Sequence, residues 1–145
     1  MEGSSASGFT VLAALAAGGG LRAAACRYPV VDLASLTRET HRFEAHYLDD
    51  LVGPWPESRA TYAARSPLSQ VDRIQRPVIL FHGLDDTVVP PSQSERLAQS
   101  LSERAVPVDL HLFPGEGHGF RSGAVQARVL EACEAFFRHH LGLTR

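Results

Sequence analysis

Ser5, Asp85 and His118 are the residues of this 145-residue chain whose types and positions could support nucleophilic catalysis. Asp85 follows the apolar run 78–81 and a glycine, a pattern that predicts a buried strand ending in a loop with a carboxylate. His118 follows a second strand-like run, 106–113, and the carboxyl ends of parallel strands meet at one edge of a sheet. A histidine oriented by a carboxylate can take the proton of a serine hydroxyl, so the three residues predict covalent hydrolysis.

Asp86 competes with Asp85 as the carboxylate partner of the histidine. We choose Asp85 because it comes first after the strand and its glycine turn. An aspartate here also has a structural interpretation, as a turn former or cap before the helix that begins near residue 91. His118 is harder to explain structurally, because the glycines on both sides of it cost stability unless the loop must bring an imidazole close.

The elements that position these side chains follow an α/β pattern with parallel strands. In chain order, the sequence predicts a helix at 9–17, a strand at 21–30, a strand at 77–82, a helix at 91–104, a strand at 106–113 and a helix at 123–141. The segment 32–72 is too long for a simple crossover, and we interpret it as a helical insertion over the sheet edge or the site. Residues 1–8 carry no strand pattern, so the strand that should precede the first helix is predicted to be absent.

Composition and charge argue against several other classes of function. A formal net charge of -2, with all 14 basic residues being Arg and none in a run, predicts no nucleic-acid or membrane partner. The apolar stretch 9–17 is too short to cross a bilayer and follows no basic residue, which argues against a signal peptide and favours the cytoplasm. Cys26 and Cys133 lack the spacing of metal ligands, and the sequence has no phosphate or dinucleotide loop, so we predict neither a metal nor a cofactor.

The order Ser, Asp, His along the chain is that of α/β-hydrolases. Three segments resemble the C-terminal part of the catalytic domain of the prolyl oligopeptidase family of serine peptidases, the group with dipeptidyl-peptidases and acylaminoacyl-peptidases. They are 3–10 for the family's Gly-Gly-Ser-Ala-Gly-Gly-Tyr elbow, 77–90 and 115–120, with shorter matches at 47–54 and 66–67. The resemblance implies that residues 1–145 form a partial α/β-hydrolase fold, with C-terminal parallel strands, flanking helices and no N-terminal half of the sheet.

The same resemblance implies a role for each matching residue. Ser5 would be the nucleophile, Asp85 the acid of the triad and His118 the base, in hydrolysis of a peptide or acyl-peptide bond through an acyl-enzyme. The backbone N–H of Ala6 would be one donor to the oxyanion. Ser7 stands where the family has glycine, which is a departure next to the nucleophile.

The family's catalytic domain extends further upstream, so we expect this chain to be a truncated product, a gene fragment or a sequence with a misplaced start. Two alternatives to an active peptidase follow. One is a non-catalytic remnant that keeps the triad residues but lacks a complete oxyanion hole, and the other is an esterase or dienelactone-hydrolase-like enzyme of the same fold. A sheet edge left exposed by the absent strand also predicts self-association.

Overall fold

The computed structural model describes residues 1–39 and 47–143 and shows an α/β fold with one parallel sheet flanked by helices. The strands are β1 (Glu2–Ser4), β2 (Ala24–Arg27), β3 (Val78–Gly83) and β4 (Val108–Phe113). The helices are α1 (Ala6–Ala16), α2 (Leu33–Glu39), α3 (Tyr47–Val52), α4 (Arg59–Arg65), α5 (Ser92–Glu103) and α6 (Gly123–Leu141), with a 3-10 helix at Pro67–Arg73. Part of the predicted insertion, residues 40–46, lies outside the described residues.

The four strands are parallel and lie in the order β1-β2-β3-β4, as the α/β pattern predicted. All six residues of β3 are buried, because helices cover both faces of the sheet. A continuous apolar run such as 78–81 is typical of a strand in this position. The turn at residues 84–86 therefore follows an inner strand and lies at the carboxyl edge of the sheet.

The prediction that no strand precedes the first helix is wrong. Glu2–Ser4 forms β1 and pairs in parallel with β2, with Gly3 opposite Cys26. The pairing continues into the next turn, where the Ser5 N–H donates to the Arg27 carbonyl at 3.0 Å. Three residues without an apolar side chain give no periodic signal, so only backbone hydrogen bonds to β2 define this strand.

Successive residues of each strand point to opposite faces of the sheet, so their side chains lie in two separate apolar cores. On one face Val78 and Leu80 pack with apolar residues of α1 and α5, including Leu12 and Leu97. On the other face Ile79, Phe81 and Phe113 pack against the inner side of α6, which contributes Val129, Cys133 and Phe136. Because both faces are covered, the sheet is a rigid base for the loops at its carboxyl edge.

The chain between β2 and β3 forms a third apolar cluster beside that edge. Its buried members are Val30, Leu33, Leu48, Tyr62 and Val89. The Tyr62 hydroxyl donates to the Gly53 carbonyl at 3.0 Å, which joins α4 to the end of α3. In the described part of the chain, no helix is both long enough and apolar enough to cross a membrane.

Candidate active site

Ser5 lies at the sharp turn that joins β1 to α1. Its backbone has φ 52° and ψ -121°, a conformation that residues other than glycine rarely adopt. Two backbone hydrogen bonds maintain it, from the Ser5 N–H to the Arg27 carbonyl at 3.0 Å and from the Phe9 N–H to the Ser5 carbonyl at 3.1 Å. The turn holds the Ser5 hydroxyl at the junction of strand and helix, as in a nucleophile elbow.

Close backbone packing explains the small residues around Ser5. A Cβ added to Gly3 would lie 2.5 Å from the carbonyl oxygen of Ser7, and one added to Gly8 would lie 2.8 Å from the Pro29 Cβ. Ser7 is exposed, and its hydroxyl accepts from the Ser4 N–H and donates to the Ser4 carbonyl, both at 2.8 Å. The serine at position 7 therefore fits the elbow and adds two hydrogen bonds to it.

His118 joins Ser5 to a buried carboxylate. Its Nε2 lies 3.0 Å from the Ser5 Oγ, and its Nδ1 lies 2.8 Å from the Oδ2 of Asp86. The carboxylate is fully buried, whereas the His118 side chain is 23% exposed and so can meet a ligand. This is the geometry in which a serine hydroxyl can lose its proton to a histidine that a carboxylate orients.

The structure corrects the choice of carboxylate: Asp86, and not Asp85, bonds to His118. Asp85 is exposed, and its backbone N–H donates to the Glu116 carbonyl at 3.0 Å. The turn after β3 explains the difference, because the Leu84 N–H still bonds across the sheet to Phe113, and the next residue then faces solvent.

Asp86 is aimed inward by the backbone that follows it. Its Oδ1 accepts from the N–H groups of Val88 and Val89, both at 2.9 Å, in the local turn that aspartate commonly forms. The preference for the first carboxylate after the strand was therefore wrong. The sequence carried no signal for this choice, because backbone N–H groups follow both aspartates at the spacing that a carboxylate can cap.

The electrostatics of Asp86 set the tautomer of His118. Burial alone would raise the pKa of Asp86, but hydrogen bonds from His118, His82 and the Val89 N–H outweigh it and hold the pKa well below its usual range. An ionised carboxylate only accepts hydrogen bonds, so the His118 Nδ1 carries a proton. The Nε2 then presents its lone pair to the Ser5 hydroxyl.

Contacts of Glu116 hold the loop that carries His118. The Glu116 carboxylate accepts from the backbone N–H groups of Arg121 and Ser122, at 2.7 and 3.0 Å. A Cβ on Gly83, at the end of β3, would overlap the Glu116 carbonyl oxygen. The close approach of Gly83 to Glu116 could not be predicted, because it joins segments far apart in the chain.

Tyr28 forms a wall beside the imidazole and was also missed. Its ring centroid lies 4.7 Å from that of His118 and 5.2 Å from that of Phe120. Tyr28 has a positive φ of 38°, so its position at the end of β2 is strained. The ring limits how far the His118 side chain can move on that side.

A cavity of about 650 Å³ lies in front of Ser5 and His118. Ala6 lines it at the start of α1, where the first N–H groups of a helix have no acceptor within the helix. The rest of the wall is mostly apolar and comes from α1, from the segment between β2 and β3, and from the loop after β3. It includes Phe9, Val30, Leu33, Leu48, Val52 and Val88.

The two cysteines lie away from this chemistry. Both are buried and unpaired by disulfide, and burial raises the pKa of Cys26 to about 12, far from that of a reactive thiolate. Within residues 1–39 and 47–143, no group of three or more His, Cys, Asp or Glu side chains is arranged to hold a metal ion.

Known proteins share this fold and much of this sequence. A puromycin-hydrolyzing peptidase of Mycobacterium tuberculosis superposes with a TM-score of 0.96 at 43% identity, over 99% of this chain and 22% of that one. The human acylamino-acid-releasing enzyme is 28% identical over 132 residues, which are 83% of this chain and 17% of the enzyme. Esterase YjfP of Escherichia coli is 38% identical over 95 residues, 64% of this chain and 34% of the esterase.

The chain spans only part of each of these relatives, between 17% and 34% of their lengths. The region shared with the Mycobacterium tuberculosis peptidase contains the parallel strands and the covering helices described above, which are part of the α/β-hydrolase fold. The sequence model of the prolyl oligopeptidase family matches residues 1–144, nearly the whole chain. The chain belongs to the prolyl oligopeptidase family of serine peptidases.

Proposed function

We propose that this chain carries the catalytic triad of a serine peptidase that cleaves peptide or acyl-peptide bonds, with Ser5 as nucleophile, His118 as base and Asp86 as the orienting acid. The observation that carries the proposal is the unbroken line of contacts from the Ser5 Oγ through the imidazole to the Asp86 Oδ2, at 3.0 and 2.8 Å. A histidine placed between a serine and a carboxylate at these distances supports acyl transfer.

The proposed reaction has two steps, acylation of Ser5 and hydrolysis of the acyl-enzyme. The Ser5 Oγ attacks the substrate carbonyl carbon while the His118 Nε2 takes the hydroxyl proton, and Asp86 stabilises the resulting imidazolium. The imidazolium gives its proton to the leaving amine as the bond to the carbonyl carbon breaks. Water then attacks the acyl carbon and gives a proton to Nε2, and this proton passes to the Ser5 Oγ as its bond to the acyl carbon breaks and the carboxylic acid leaves. The Ala6 N–H at the start of α1 is the proposed donor to the oxyanion.

The apolar cavity supports a substrate with a bulky apolar side chain on the acyl side of the bond. Its volume of about 650 Å³ lies within the range of small-ligand sites, and its walls come largely from aliphatic and aromatic residues. The wall also contains Arg65, an exposed side chain that donates to the Leu51 carbonyl at 2.9 Å, but most of the surface that a substrate meets is apolar. Aminoacyl and peptidyl groups with large apolar side chains are therefore the favoured acyl donors.

An esterase is the second candidate, and the 38% identity to an Escherichia coli esterase favours it specifically. Both activities use the same acyl-enzyme, and they differ in the leaving group, since an amine must be protonated to leave and an alcohol leaves more readily. We expect hydrolysis of both an amide and an ester that share one apolar acyl group. Hydrolysis of the ester alone would favour the esterase.

A fluorophosphonate probe tests the catalytic proposal without a known substrate, because it reacts with an activated serine. We expect the folded chain to be labelled and the Ser5→Ala variant not to be labelled. If folded wild-type chain takes up no probe, the chain is the non-catalytic alternative. Loss of one oxyanion donor lowers turnover by about a hundred- to a thousand-fold, so the labelling must be followed long enough to detect slow reaction.

A further inference from the structure

A second histidine contacts the same carboxylate from inside the fold. His82, the fifth residue of β3, is completely buried, and its Nε2 lies 3.3 Å from the Asp86 Oδ2. The same nitrogen lies 2.8 Å from the Val89 carbonyl oxygen, and the Nδ1 lies 2.7 Å from the Ser94 Oγ. The catalytic mechanism above assigns no task to His82 or Ser94.

The neighbours of His82 determine which nitrogen carries its proton. A carbonyl oxygen can only accept, so the contact with Val89 requires a proton on Nε2. That N–H also faces the Asp86 Oδ2, which it reaches as the longer branch of a shared hydrogen bond. The Ser94 hydroxyl, fully buried in α5, can donate to Nδ1 and so favours the same tautomer.

His82 completes the hydrogen bonds of the carboxylate. The Oδ1 of Asp86 accepts from two backbone N–H groups, of Val88 and Val89, and its Oδ2 accepts from His118 and His82. The Asp86 side chain has no exposed surface, so solvent water is not at hand to replace a lost donor. Without His82, only His118 would hold the Oδ2.

We propose that His82 is a positioning residue, which fixes the Asp86 carboxylate against His118, and that Ser94 fixes the tautomer of His82. This inference rests on the proposed triad, since Asp86 acts on Ser5 only through His118. It connects the first turn of α5 to the catalytic line through two buried polar side chains. The alternative is that His82 only ties the loop after β3 to the sheet through Val89.

The first test is the labelling rate of a matched pair of variants, His82→Gln and His82→Met. Glutamine can place an amide N–H near the position of Nε2, whereas methionine has similar length and no donor. We expect the methionine variant to react with the fluorophosphonate about tenfold more slowly, as for loss of one hydrogen bond to a charged group, and glutamine to restore most of the rate. Equal rates for both variants and wild type would overturn the proposal.

A double-mutant cycle separates positioning from a general structural effect. If His82 acts through Asp86, His82→Met should change the labelling rate by less than about twofold in the Asp86→Asn background, because coupled residues are not additive. An equal fractional loss in both backgrounds would instead indicate that His82 supports the loop only. Circular dichroism and thermal melting of each variant identify any that fail to fold.

A spectroscopic measurement tests the positioning even if the chain proves inactive. A strongly hydrogen-bonded imidazole N–H gives a separate low-field proton signal, which can be assigned to His118 by its absence in His118→Gln. We expect this signal to move or broaden in His82→Met and to persist in His82→Gln. An unchanged signal in His82→Met would refute the positioning role, whereas failure of wild-type labelling would refute only the proposed function.

Discussion

Replacing Asp86 by asparagine should disable His118, whereas the same change at Asp85 should not. The Asp86 carboxylate takes two backbone N–H groups on Oδ1, and the N–H groups of His118 and His82 on Oδ2. An asparagine oxygen can replace only one of these oxygens. If it keeps the backbone bonds, its NH₂ group faces the two imidazole N–H groups, donor against donor.

The expected loss follows from the tautomer that this conflict imposes. His118 relieves the conflict by moving its proton from Nδ1 to Nε2, which lies 3.0 Å from the Ser5 Oγ and then cannot take the serine proton. A wrong tautomer of this kind costs about 10⁴-fold in rate, or about 5 kcal/mol of transition-state stabilisation. The Asp85 side chain is exposed, so Asp85→Asn should change the rate by no more than about twofold.

The assay is the second-order rate constant of fluorophosphonate labelling for wild type and the two variants. The substitutions are chemically identical and one residue apart, so Asp85→Asn is a matched control for loss of one negative charge. Circular dichroism spectra and melting temperatures establish that each protein is folded before the rates are compared. A slow Asp85→Asn together with a fast Asp86→Asn, or equal rates for both, would refute the assignment of Asp86.

Four further outcomes follow from the structure. Because the pKa of Asp86 is lowered on folding, the unfolded chain binds the proton more tightly than the folded chain. The stability from this group is therefore present at neutral pH and is lost as the pH falls below about 4. Urea unfolding at pH 7 and pH 3 should show a larger loss of unfolding free energy for wild type than for Asp86→Asn. Gly83→Ala would force apart the end of β3 and the Glu116 carbonyl, so we expect a melting temperature lower by several degrees and slower labelling, and an unchanged melt would contradict the close packing. Ser7→Ala removes both hydrogen bonds to Ser4 and should lower the free energy of unfolding by about 1 kcal/mol, whereas no change would show that they do not stabilise the elbow. Within residues 1–39 and 47–143 no strand pairs with the outer edge of β1, so we propose concentration-dependent self-association, which a single monomeric species in sedimentation at all concentrations would exclude.

Much of the fold could be predicted from apolar patterning. The buried run 78–81 and the alternating run at β4 identify two strands, and the helices α5 and α6 follow from their apolar faces. The first strand, Glu2–Ser4, could not be predicted, because it has no apolar residue and depends on pairing with β2. The second strand is shorter than predicted, Ala24–Arg27 within 21–30, since pairing and not hydropathy defines its ends.

The candidate site could also be predicted only in part. The aspartates after β3 and His118 after β4 could be placed together because the carboxyl ends of parallel strands share one edge of the sheet. Ser5 followed only from the order Ser, Asp, His along the chain and from the family resemblance. The choice between Asp85 and Asp86 depended on the direction of one turn, which neither composition nor spacing determines. Tyr28 beside His118, and Gly83 against Glu116, are contacts between distant segments, and a single sequence carries no signal for such contacts.

The most direct test of the account is to locate the fluorophosphonate adduct on the folded wild-type chain by mass spectrometry. Cleavage after Arg22 leaves four hydroxyl groups in one peptide, those of Ser4, Ser5, Ser7 and Thr10, so fragment spectra must distinguish them. We expect a single adduct on Ser5, formed far more slowly when His118 is replaced by glutamine. An adduct on another residue, or none on folded protein, would contradict it.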